Sequence, residues 1–127
     1  MEFVNCPCTG KTLDRLVRPA VLTLLAQDPL HGYELLKRLA TMALFHGRPP
    51  DATGVYRLLR DMEGEGLVAS DWERADRGPA KRRYAITRDG LTCLPLWIAT
   101  LTNYQSAISQ LLSVAQLSLR PPTGGSP

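Results

Sequence analysis

Apolar residues in the first third of the chain recur at helical spacing. Leu13, Leu16 and Val17 are followed by Val21, Leu22, Leu24 and Leu25, the rhythm of threes and fours that lines one face of a helix. Pro19 interrupts the run, and a kink or restart is predicted there, with the proline in a first turn where its missing N–H matters least. Asp28-Pro29 ends this helix. A second helix opens near His31-Gly32, with Glu34 placed to cap it. Leu35, Leu36, Leu39 and Met42 mark its buried stripe. Gly47-Arg48-Pro49-Pro50 is a breaker. Asp51 is then the predicted N-cap of a third helix, from Ala52 to about Glu65. Val55, Leu58, Leu59 and Met62 form one side of that helix, and Thr53, Tyr56, Arg57 and Arg60 the other. Gly64 and Gly66 mark its end.

The period then changes from helix to strand. Leu67 to Glu73 reads as a strand, Asp76 to Pro79 as a turn and Lys81 to Thr87 as the return strand. From Arg88 the helical pattern comes back. Leu91, Leu94, Ile98, Leu101, Ile108, Leu112 and Ala115 alternate in heptad fashion, with Gln105 filling one seam position, and such spacing is a helix-pairing seam. Pro95 predicts an early kink or restart. A helix this long cannot bury its stripe on a small domain alone, so a partner chain is expected.

Helices followed by a hairpin and a further helix predict a mainly α fold with a two-stranded β-wing (α+β). The expected architecture is a winged helix-turn-helix plus a long C-terminal dimerisation helix. Residues 1–12 would form an arm carrying Cys-Pro-Cys, 13–90 the winged domain and 91–119 the dimerisation helix. The Pro/Gly/Ser-rich tail, 120–127, is expected to be disordered.

A chain of 127 residues with 44% hydrophobic content makes one domain, or a domain plus an arm, with an ample core. Net charge is only +3, so global charge would not steer it to a polyanion. The distribution says more. Arg74, Arg77, Lys81, Arg82, Arg83 and Arg88 crowd the hairpin, against Asp76 alone. A charge run is ordinarily a solvated face, but cations on a glycine-proline turn and its return strand suit phosphates. No apolar run reaches the length of a membrane span and no leader opens the chain, so a cytoplasmic location with no membrane partner is expected. Cys6, Cys8 and Cys93 would then be reduced or metal-bound rather than disulfide-linked.

In a helix-turn-helix the second helix enters the major groove N-terminus first. Here that helix begins near Asp51. Thr53 would meet a phosphate or a base, and Tyr56 a phosphate or sugar. Arg57 is the candidate for base readout, because a guanidinium bonds guanine in bidentate fashion. Arg60 would clamp a phosphate. In the wing, Arg77, Lys81 and Arg83 would grip the backbone or minor groove. Alternation places Arg82 and Tyr84 on the opposite strand face, with Tyr84 in the core. The implied partners are a second copy of the chain and a near-palindromic operator in double-stranded DNA.

Three segments in order resemble a known family. Leu24-Leu25-Ala26 and Pro29-Leu30-His31-Gly32-Tyr33-Glu34-Leu35 resemble the opening signature of PadR-type regulators. Val55-Tyr56-Arg57-Leu58-Leu59-Arg60 and Glu63-Gly64-Glu65-Gly66-Leu67-Val68 look like their recognition helix and the turn after it. Arg83-Tyr84-Ala85-Ile86-Thr87-Arg88-Asp89-Gly90 is similar to their second wing strand and the entry to the last helix. The resemblance implies a winged helix-turn-helix dimerised through its C-terminal helix, usually acting as a repressor, with His31, Gly32 and Tyr33 in structural roles. The chain departs from that pattern at Gly54, where threonine is common, and at Arg57, where proline is common. Its Cys-Pro-Cys arm is also unusual.

Two inputs to such a regulator are visible. In an extended Cys-x-Cys both thiolates point the same way, so Cys6 and Cys8, with Cys93, would suit a soft metal ion or an Fe–S cluster. The bland alternative is an ordinary arm with incidental thiols and a buried Cys93. Trp97, close to the expected seam, would either stack a planar apolar ligand or simply pack. Gly10-Lys11-Thr12 is not a phosphate loop, because Asn5 stands where that motif needs a glycine. A metal or redox module that does not bind DNA is the alternative of another class. No enzyme is expected: there is no paired carboxylate cluster, no Ser-His-Asp set, and the only histidines are His31 and His46.

Overall fold

The computed structural model describes residues 15–48, 50–74 and 78–119. Helix α1 spans Val17–Gln27 and is buried along most of its circumference, with Val21 and Leu22 fully enclosed. Pro19 sits in its first turn, where no intrahelical donor is lost, and the Thr23 hydroxyl donates to the Pro19 carbonyl at 2.8 Å. The helix begins at Val17, which puts the proline in a first turn, as expected.

Asp28-Pro29 turns the chain into an extended pair, Leu30–His31, which forms strand β1. This strand was not expected. The hairpin strands β2 (Val68–Glu73) and β3 (Lys81–Ile86) are joined by β1 into a three-stranded antiparallel sheet in the order β1-β3-β2. Leu30 pairs with Tyr84, and His31 with Arg83. Two residues are too few to show the alternation by which a strand is recognised. Pairing with β3 is what makes this segment a strand.

Helix α2 spans Gly32–Thr41 and buries Leu35 and Leu39 completely. Glu34 caps its start by accepting from the His31 backbone N–H at 3.1 Å. That bond, and a second to the imidazole, holds the Glu34 carboxyl below its usual value of 4.5. Its contribution is therefore present above that value and lost as pH falls through the lowered one. Glu34→Gln should lower the melting temperature slightly at neutral pH, and the gap should close on titration into strong acid. A gap of equal size at low pH would show that the charge contributes nothing. The helix ends one residue before Met42, which has extended backbone and is half-buried, so it leaves the predicted stripe. A short 3-10 turn, Ala43–Phe45, buries Phe45 in its place.

Helix α3, Ala52–Gly64, starts at the predicted cap: the Asp51 carboxylate accepts from the Gly54 N–H at 3.0 Å. Val55, Leu59 and Met62 anchor it in the core. It closes with Gly66 at φ +80°. The Gly66 N–H bonds the Glu63 carbonyl at 3.0 Å and the Leu67 N–H bonds the Met62 carbonyl at 2.9 Å. This pair of bonds satisfies carbonyls that the helix end would otherwise orphan.

Helix α4 runs from Arg88 to Ser118. Thr87 caps it: its hydroxyl accepts from the Gly90 N–H at 3.0 Å and donates to the Gly66 carbonyl at 2.6 Å. Gly90 is buried against the Leu67 carbonyl and the Ile86 side chain. Pro95, where a kink or a restart was expected, lies inside α4, which is a single helix from Arg88 to Ser118. The sequence divides into two compact units, one ending at Leu94 and one starting at Pro95. In the second, Leu96, Ile98, Tyr104, Ile108, Leu111, Leu112, Val114 and Leu117 all leave about half or more of their surface open. No Asp, Glu, Lys, Arg or His occurs between Gly90 and Leu119. Among the described residues no helix is long and apolar enough to cross a membrane.

Candidate nucleic-acid interface

Burial of Val55, Leu59 and Met62 fixes which way α3 turns its other side. Thr53, Tyr56, Arg57 and Arg60 recur at three- and four-residue spacing and all are exposed. Among the described residues, neither Arg57 nor Arg60 forms a salt bridge. Tyr56 is 41% exposed, and one edge of its ring lies against Gly32 at the start of α2. A Cβ on residue 32 would stand 2.5 Å from the ring, so a side chain there would have to push the tip of the Tyr56 ring aside.

Register assigns the hairpin side chains. Asp71 is opposite Arg83, Trp72 opposite Arg82 and Glu73 opposite Lys81. Side chains of directly paired residues share a sheet face. Lys81 and Arg83 therefore lie with His31, Asp71 and Glu73. Arg82 and Tyr84 lie with Ser70 and Trp72, on the side where α3 packs. Tyr84 is buried, as expected, and desolvation raises its phenol above the usual value of 10.0.

Arg82 is tied into the fold. Its Nε donates to Ser70 Oγ at 2.8 Å and its Nη2 to Glu63 Oε1 at 3.3 Å, while Ser70 donates to the same Glu63 carboxylate at 2.9 Å. The guanidinium also sits over the rings of Trp72, at 5.7 Å, and Tyr84, at 5.8 Å. On the other face, His31 lies between two carboxylates: Nδ1 is 2.7 Å from Glu34 and Nε2 is 2.7 Å from Glu73. Arg83 reaches Glu73 at 3.8 Å. His31 thus links the start of α2 to the last residue of β2.

A groove of about 850 Å³ brings Tyr56, Lys81 and Arg83 together, with Gly32 and Arg82 in its wall. Thr53, Arg57 and Arg60 stand outside it along α3. Arg77, Cys6 and Cys8 lie outside the described residues, as do the arm 1–12 and the tail 120–127. Cys93 is a half-buried free thiol on α4, and Trp97 is half-buried in the second unit. Among the described residues no group of three or more His, Cys, Asp or Glu side chains is arranged to hold a metal ion, so the cysteine-bound metal or Fe–S cluster has no support there.

Trp72 escaped sequence reasoning. It is 66% exposed, and its parity in β2 with Ser70 would have placed it on the same face as Tyr84 once the register was known.

The family model described as the transcriptional regulator PadR-like family matches residues 21–94. A proposed transcriptional regulator of Thermoplasma acidophilum is 30% identical, with a TM-score of 0.69 over 81% of this chain and 96% of that one. A PadR family regulator from Eggerthella lenta is also 30% identical, with a TM-score of 0.63 over 80% and 89%. PadR of Bacillus subtilis, solved in complex with operator DNA, shares the fold at 23% identity, with a TM-score of 0.59 over 66% of this chain and 46% of that one. No curated protein matches the chain.

Proposed function

This chain belongs to the PadR-like family of transcriptional regulators, and from that premise we propose that it is a dimeric, double-stranded-DNA-binding repressor. The observation that carries the reading is the outward face of α3. Four side chains able to contact DNA stand there at helical spacing, two of them cations without a carboxylate partner among the described residues. In this reading α3 enters the major groove, Arg57 reads guanine, and Thr53, Tyr56 and Arg60 hold the flanking backbone. Lys81, Arg83 and Arg77 grip phosphates from the wing. The exposed apolar residues of α4 after Pro95 bury themselves against a second copy, and two half-sites about one helical turn apart follow from the two-fold axis. The B. subtilis relative solved with operator DNA supports the same partner class.

Selection of random duplexes by the purified protein tests the reading: a near-palindromic motif is expected, and recovery of no enriched sequence would sink it. Arg83→Ala should then weaken binding to all duplexes about equally, and lower the slope of log affinity against log salt by about 1 for each phosphate no longer neutralised. An unchanged slope would remove Arg83 from the residues that grip phosphate.

A further inference from the structure

We infer that Trp72 is a DNA contact, an apolar one on the face of the wing turned toward α3; the inference rests on the DNA-binding reading above. When a helix occupies the major groove and a wing lies at the adjoining minor groove, one sugar–phosphate strand passes between them. Trp72 lies on the sheet face turned toward α3, the face on which Ser70 and Arg82 reach Glu63. Trp72 is 66% exposed, whereas Tyr84 on the same face is 6% exposed and belongs to the core. An open indole at the wing suits a surface that is itself part apolar, such as the deoxyribose edge, because one end of the ring system is apolar and the other polar.

The ring is also held in place. Arg82 lies over it at 5.7 Å, and Arg82 is fixed by Ser70 at 2.8 Å and Glu63 at 3.3 Å. The electrostatics of this face permit a polyanion. Asp71 and Glu73, the acidic residues of β2, point to the opposite face by register, and Glu63 is already engaged by Arg82 and Ser70. Arg82, neutralised by Glu63, serves as a platform. The contact is therefore one of packing, which separates it from the phosphate contacts of Lys81 and Arg83.

The test compares wild type, Trp72→Ala and Trp72→Phe on one selected duplex across a salt series. Trp72→Ala should weaken binding about tenfold with the salt slope unchanged, because apolar burial is removed while every phosphate partner stays. Trp72→Phe should bind nearly as well as wild type. Tryptophan emission should change when wild type is saturated with duplex, and that change should vanish in Trp72→Phe, which keeps only Trp97. Trp72→Ala binding within about twofold of wild type, or an emission change that survives in Trp72→Phe, would overturn the inference while leaving the DNA-binding reading intact. Failure of the wild type to bind any duplex would overturn both.

Discussion

Gly90→Ala is expected to lower the melting temperature of the protein by roughly 10–20 °C. The reason is geometric. A Cβ on residue 90 would collide with the Leu67 carbonyl oxygen and stand 2.6 Å from the Ile86 Cγ1. Leu67 follows the glycine turn that closes α3, and its carbonyl accepts from the Thr87 N–H at 3.1 Å. It cannot retreat without breaking the junction that carries the chain from α3 into the wing and back into α4. Overpacking against backbone costs about 3 kcal/mol, a large part of the 5–15 kcal/mol that is typical of a whole domain. Thermal unfolding followed by circular dichroism measures the shift. A midpoint within about 2 °C of wild type would mean that α4 can slide off the Leu67 carbonyl at little cost. Gly32 contrasts with this, because its close neighbour is the tip of the Tyr56 ring, which can swing away.

The second large effect concerns specificity. Arg57→Ala should reduce affinity for the preferred operator by about 30-fold or more, since one bidentate guanine contact discriminates by ~1–3 kcal/mol and the proposed two-fold dimer would lose it in both half-sites. Binding to unrelated duplexes should fall far less. Repeating the selection with the variant should flatten one or two positions per half-site and leave the rest of the motif standing. Recovery of the wild-type motif would show that Arg57 holds backbone instead. Arg57 lies on the exposed face of α3, outside the groove shared by Tyr56 and the wing, and has no carboxylate partner among the described residues.

Local chemistry made much of the fold legible. Asp51 announces the start of α3 because a carboxylate before a helix can take only a few orphaned N–H groups, and it takes Gly54's. Gly66 announces the end because a positive φ suits little else. Glu34 and Tyr84 were readable for similar reasons: spacing from a helix start, and parity in a strand. What stayed hidden depends on partners distant in sequence. β1 exists only through β3. Met42 drops out of the α2 stripe because the backbone turns extended at its own position, for which the leucine spacing gives no sign. At Pro95 a kink or a restart was expected, and of the two no restart occurs, since α4 is one helix through that position. In the candidate interface, the α3 face followed from period alone. The placing of Lys81 and Arg83 on the sheet face opposite Arg82, the Arg82–Glu63–Ser70 tie and the openness of Trp72 required the register of the hairpin and the packing of α3 on it.

The stretch of α4 without ionic side chains has a consequence for subunit exchange. Paired helices commonly choose their partners through charges that flank the seam, rewarding one match and penalising others. Between Gly90 and Leu119 there are none. A dimer joined along this helix would therefore assemble with nearly the same strength from low to high salt and across the neutral pH range. The salt response of operator binding would then report phosphate contacts with little contribution from dissociation. Discrimination against related chains in the same cell would rest on shape alone, on where Ile98, Ile108 and Leu112 fit and where Gln105 finds a partner. A relative with similar knobs and spacing would meet no electrostatic barrier to forming a mixed dimer, and such a pair would read two unlike half-sites.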